Sequence, residues 1–194
     1  TSILFRATSA AAGNELWRTD CTRKGTRMVK NLAPGNASSV PYELTPIGNR
    51  TFFQANVSGV PGLYVTNGTA TGTKRLRAFE LLYGLVAVGN RLYFLADDGS
   101  HGLEPWTSDG TKAGTVMVKD LPDQAGTQPQ GAGDGRYWWV VEGPIGSFDL
   151  WVSNGTADGT KKVVDLGDWT RQVLAANGVA WFIGFEAPTA YELW

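Results

Sequence analysis

The sequence predicts an all-β chain, a β-propeller of four-stranded blades built on repeats of about 45 residues. Three observations carry that expectation. An aromatic recurs in phase, with Trp17, Tyr64, Trp106, Trp151 and Trp194 spaced by 47, 42, 45 and 43 residues. The threonine of a Gly-Thr pair keeps the same phase, with Thr26, Thr73, Thr115 and Thr160 at intervals of 47, 42 and 45. Between these landmarks lie short apolar or alternating runs separated by turns rich in Gly, Asn and Asp. No stretch of about ten residues keeps the apolar period of a helix, so essentially no helix is expected. Two independent landmarks in one phase define a real period. A strand-rich period of roughly 40–50 residues is that of a propeller blade, not of a helical solenoid.

The third period shows each element of a blade in turn. Residues 84–88 are a short apolar first strand that ends on Gly89-Asn90. Residues 91–96 (Arg-Leu-Tyr-Phe-Leu-Ala) are a second strand of aromatic and aliphatic side chains. Residues 104–108 carry Trp106 on a third strand that ends at Asp109-Gly110. Residues 115–120 alternate Val116 and Val118 against Met117 and Lys119, as a half-buried outer strand does. The second strand recurs at 3–7, 51–55, 137–141 and 180–184. Connectors such as Gly48-Asn49, Asn67-Gly68 and Asn154-Gly155 are pairs that tolerate positive φ in tight turns.

The tally is five copies of the second and third strands and four of the first and fourth. The repeats run 3–47, 48–89, 90–134, 135–178 and, in part, 179–194, within a single domain of residues 1–194. Two arrangements accommodate them: a five-bladed ring with two incomplete blades, or an excerpt of a larger propeller. Open edges would leave unpaired backbone groups and favour association.

The pattern Glu-Leu-Trp-x-x-Asp-Gly-Thr-x-x-Gly-Thr, followed by Val-Lys-Asp-Leu, resembles the ELWxxDGT repeat proteins, which are large and often bacterial. Residues 104–121 match it most closely, and residues 93–102 look like that family's lead-in to the Trp strand. Other copies depart from it: Cys21 replaces the turn Gly, Tyr64 the Trp, Asn67 and Asn154 the Asp, and Pro105 the Leu. The resemblance implies a propeller-like β fold and export. It implies no activity.

Composition excludes several functions. The 194 residues carry 17 basic and 18 acidic groups, well mixed, for a net charge of −1. That gives no dense basic surface for nucleic acid, so no nucleic-acid partner is expected. No window approaches ~18 consecutive apolar residues, so no membrane span is expected. Cys21 stands alone and forms no internal disulfide. Basic residues gather on the fourth strands (Arg23, Lys24, Arg27 and Lys30; Lys74, Arg75 and Arg77), where charge defends an outer edge against pairing.

Few residues are candidates for a site, and none for catalysis. Asp97 and Asp98, beside the lone histidine His101, are the metal candidates; they would take Ca²⁺ through carboxylate oxygens, although two carboxylates and one imidazole are thin for that ion. The bland reading is loop capping. Asp20 and Asp109 are weaker still, because Asn67 and Asn154 replace them without disturbing the repeat. Trp138, Trp139 and Trp169 lie off the phase of the repeated Trp and are the ligand candidates, one exposed ring being enough to stack on a sugar. Trp138 and Trp139 must face opposite ways on a strand. The expected function is a non-enzymatic binding or scaffolding module, secreted or on the cell surface. It would engage protein partners or cell-surface glycans within a longer chain or assembly, with no required cofactor. A lectin-like carbohydrate-binding propeller is the alternative, and a propeller hydrolase or lyase comes last.

Overall fold

The computed structural model describes residues 2–121, 129–133, 135–142, 148–166, 170–176, 179–185 and 191–193, with side chains described over 2–121, 135–142 and 148–166. Among the described residues there are 18 strands and no helix. They form five antiparallel sheets, each a meander in which chain order is spatial order.

The first sheet is β1 (Ile3–Ser9), β2 (Gly13–Thr19) and β3 (Arg27–Lys30). The second is β4 (Tyr42–Ile47), β5 (Arg50–Val57), β6 (Val60–Thr66) and β7 (Lys74–Ala78). The third is β8 (Leu81–Val88), β9 (Arg91–Asp97), β10 (Leu103–Ser108) and β11 (Val116–Met117). The fourth is β12 (Pro129–Gly133), β13 (Arg136–Glu142), β14 (Phe148–Ser153) and β15 (Lys161–Asp165). The fifth is β16 (Thr170–Ala176), β17 (Val179–Phe185) and β18 (Tyr191–Leu193). The first sheet therefore holds the second to fourth strands of the repeat and the fifth sheet the first to third, as the strand tally required.

One register recurs. Phe5 faces Trp17, Phe53 faces Tyr64, Phe94 faces Trp106 and Trp139 faces Trp151 across the hairpin of second and third strands. The ring pairs at Phe53–Tyr64, Phe94–Trp106 and Trp139–Trp151 stack with centroids 5.5, 6.4 and 6.2 Å apart. A cross-strand aromatic pair fixes register because a one-residue slip would turn both rings to the wrong face. The pairings of first with second strands each carry a bulge, at Tyr42/Thr45, Tyr83/Val86, Pro129/Gly131 and Thr170/Gln172. Bulges raise local twist, which lets the first strands β4, β8, β12 and β16 lie beside one another while the outer strands splay apart.

The core lies between successive sheets. Leu16 and Val29 of the first sheet meet Phe53 and Tyr64 of the second. Phe52, Val65 and Phe79 of the second meet Leu92, Phe94 and Trp106 of the third. Tyr93 and Leu95 of the third meet Tyr137 and Trp139 of the fourth. Fourth strands are outermost, and all of β15 is exposed.

β11 is shorter than its sequence predicts, two residues against the expected run of 115–120. Paired residues end at Trp106–Met117; beyond them the Val118 N–H still donates to the Pro105 carbonyl at 2.8 Å, and the Leu121 N–H turns to the Glu104 carboxylate at 3.1 Å.

Candidate functional site

The Asx-Gly-Thr-x-x-Gly-Thr turn links third to fourth strands and has the same hydrogen bonds in every copy. In the third sheet Asp109 Oδ1 accepts from the Thr111 N–H at 2.8 Å and the Thr111 hydroxyl at 2.7 Å. The Gly114 N–H donates to Thr111 Oγ1 at 2.9 Å, and the Thr115 hydroxyl donates to the Thr111 carbonyl at 2.7 Å. Ser108 Oγ and Thr115 Oγ1 lie 2.8 Å apart, and the Gly110 N–H donates to Ser108 Oγ. The copies around Asp20, Asn67 and Asn154 repeat these bonds. Only Oδ1 is used, which is why Asp and Asn interchange. The Thr111 hydroxyl and amide hold the Asp109 carboxyl below its ordinary range, and Thr22 does the same to Asp20.

The turn also explains the fixed glycines. The position after the Asx has φ of 83°, 87° and 88° at Gly68, Gly110 and Gly155, a left-handed backbone that glycine adopts freely. The odd copy places Cys21 there at φ 70°. Cys21 is an exposed thiol with no activating partner, and its strain is unneeded. Replacing Cys21→Gly is expected to stabilise the chain by about 0.5–1 kcal/mol in chemical denaturation. A loss of stability would show that the thiol itself packs usefully.

Successive turns are tied across sheets. Arg18 Nη1 donates to the Gly68 carbonyl at 3.2 Å, and Arg50 Nη1 to the Asp109 carbonyl at 2.6 Å. Lys30 donates to the Thr73 carbonyl at 2.9 Å, as Lys119 does to Thr160. Between the turns of the second and third sheets a cleft of about 360 Å³ remains, lined by Asn49, Arg50, Asn67, Thr71, Lys74 and Thr111. No acidic side chain lines it. It is the candidate site, and sequence reasoning missed it because its residues come from two repeats.

The sequence-derived candidates fall elsewhere. Trp138 is 8% exposed and Trp139 fully buried, so neither ring is offered for stacking on a sugar. They face opposite ways as expected: Trp139 packs toward the third sheet and Trp138 on the other face, with Val140, Leu150 and Val152. Trp169 and residues 143–147 lie outside the described residues. Asp97 and Asp98 turn their oxygens to local donors. Asp97 Oδ1 accepts from the Gly99 N–H at 2.7 Å, and Asp98 Oδ1 from the Ser100 N–H at 3.1 Å. Asp98 also meets His101 Nδ1 at 3.0 Å and Arg77 at 3.1 Å. Two cationic partners leave this carboxylate poorly placed for a calcium ion, and among the described residues no three acidic, His or Cys side chains gather as a metal site. The loop-capping reading is the one the geometry supports. Asp98 raises the His101 imidazole above its ordinary range by hydrogen bonding and charge.

Among the described residues Glu104 is the carboxylic acid whose pKa is most strongly perturbed. It is fully buried; Oε2 accepts from Leu121 while Oε1 has no partner. Its counterpart Glu15 is fully engaged, by the Leu32 and Ala33 N–H groups and the Ser39 hydroxyl. Burial, with Asp120 and Asp97 nearby, raises the Glu104 pKa to about 7. This residue caps the link between two sheets and opens on no cavity described above.

No protein-family model matches the chain, and no curated protein matches it by sequence. Solved structures resemble it in fold. A prolyl endopeptidase matches with a TM-score of 0.63 at 11% identity over 99% of this chain and 31% of that one. The Pyrococcus horikoshii acylaminoacyl peptidase gives 0.60 at 12% identity over 96% and 31%. TolB from Acinetobacter baumannii gives 0.54 at 14% identity over 99% and 49%. The chain thus spans a third to a half of these proteins, and the likeness is one of propeller-like β architecture.

Proposed function

We propose that the chain is a β-propeller module that binds rather than catalyses, its five sheets being blades around one axis, and that it works outside the cell within a larger protein or assembly. The observation that carries this reading is the division of labour among polar groups. In the turns the Asx, Thr and Ser side chains are held in structural hydrogen bonds copy after copy, while Thr71 and Lys74, at positions that vary between copies, add their side chains to the cleft beside them. A rigid edge with variable surface residues suits recognition of a partner. The peptidases that share this architecture are each about three times longer than the shared part, which fits a portion that accompanies catalysis without performing it.

The test is an array of extracellular proteins and glycans probed with the purified chain, alongside chromogenic peptide, ester and glycoside substrates. Saturable retention on the array with no turnover is expected. Turnover proportional to chain concentration, without retention, would overturn the reading.

A further inference from the structure

We infer that the cleft between the turns of the second and third sheets binds an oxyanion carried on a sugar-sized polyol, either a uronate carboxylate or a sugar sulfate. The inference rests on the binding-module reading and names the ligand class of the candidate site.

The cleft is built of donors. Lys74 is exposed and its ammonium has no described partner, while Arg50 sits beside it with one guanidinium nitrogen anchored on the Asp109 carbonyl. That anchor fixes the guanidinium at the cleft wall, and a held guanidinium loses little freedom when it pairs with an oxyanion. Asn67 adds a third donor. Its Oδ1 accepts from both the Thr69 N–H and the Thr69 hydroxyl, so the side-chain NH₂ is the group left over. In the equivalent turn Asp109 makes the same two bonds and is left with a carboxylate oxygen instead. The choice of Asn over Asp at residue 67 thus removes a negative charge from beside Lys74 and supplies a donor. Asn49 and Thr71 add an amide and a hydroxyl suited to a polyol, while the Thr111 hydroxyl at the far wall is already held by Asp109 and Gly114. A volume of about 360 Å³ is of small-ligand size.

The next pair of sheets makes the contrast. There the residue equivalent to Arg50 is Arg91, which turns to Thr107 of its own sheet at 3.1 Å, the Lys74 position is Val116, and the Asn67 position is Asp109. In addition the Tyr93 hydroxyl crowds Gly155. The Arg-Lys-Asn set of the second and third sheets is thus not repeated between the third and fourth.

The experiment is a titration of the full chain, followed by backbone amide NMR shifts, with glucuronate, glucose 6-sulfate and glucose at low ionic strength. Shifts centred on Asn67, Thr71, Lys74 and Thr111 are expected with one or both oxyanions, and whichever is tighter identifies the source. Lys74→Gln is expected to weaken binding about fivefold, the worth of one exposed charge. Asn67→Asp is expected to weaken it about tenfold while leaving thermal unfolding unchanged, since Asp109 shows that aspartate builds the same turn. Salt should weaken it further. Glucose binding as well as the oxyanions, shifts elsewhere, no shifts at all, or affinities unchanged in both variants would overturn the inference. Array retention that persists in these variants would remove this ligand while leaving the binding-module reading intact.

Discussion

Gly114→Ala is expected to destabilise the chain by about 2–3 kcal/mol in urea or thermal unfolding, a large effect for one methyl group on an exposed turn. A Cβ at Gly114 would overlap the Asp109 carboxylate, and the same holds at Gly25, Gly72 and Gly159 against Asp20, Asn67 and Asn154. To escape, Asp109 must rotate out and release its two bonds from Thr111. Bonds to a charged acceptor each contribute roughly 1.5–3 kcal/mol, and part is recovered from water. The mechanism has its own control. In an Asp109→Ala background the added methyl meets no carboxylate, so the cost of Gly114→Ala should largely vanish. An undiminished cost would mean that the clash is not with Asp109.

Glu104→Gln is expected to stabilise the chain by about 1–3 kcal/mol at pH 8 and by little at pH 4, measured as the difference between variant and parent across pH. The sign follows from the raised pKa. A carboxyl whose pKa rises on folding, here from 4.5 to about 7, makes its full stabilising contribution below 4.5 and loses it as pH climbs through 7. Above that, the folded chain holds a buried carboxylate with one unpartnered oxygen. The glutamine oxygen keeps the bond from the Leu121 N–H and carries no charge. A difference that does not vary with pH would contradict the burial of an ionisable Glu104.

Most of the fold was legible in the sequence, because each sheet is specified locally. The in-phase aromatic, the Asx-Gly pair and the second Gly-Thr mark the third strand, the turn and the start of the fourth. Among the described residues the third strands and turns fall as read, and each fourth strand starts one residue after the Thr of the second Gly-Thr; Trp194 lies outside the described residues. Trp139 is buried for a reason visible in the sequence. It is off the phase of Trp106, but it stands third in its second strand, in line with Phe5, Phe53 and Phe94, and is the cross-strand partner of Trp151. Comparing second strands with one another, instead of comparing tryptophans, would have assigned it to the core. Trp138 likewise aligns with Phe52 and Tyr93, both buried. The cleft was not legible. Its cations come from the start of one second strand and one fourth strand, and its far wall from the next repeat. Only packing of sheet on sheet brings them together, and a single period carries no sign of it.

The arrangement of blades is the claim on which the rest depends, and spin-label distances test it most directly. Thr71, Ala113 and Asp158 occupy the same exposed position in the turns of the second, third and fourth sheets. Cysteines placed there in pairs, in a Cys21→Gly background, give three distances by pulsed electron resonance. Blades around an axis predict a 71–158 distance clearly shorter than the 71–113 and 113–158 distances combined, and the ratio gives the angle between blades and hence the number that closes a ring. A 71–158 distance equal to that combined length would mean a straight stack of sheets and would contradict the propeller.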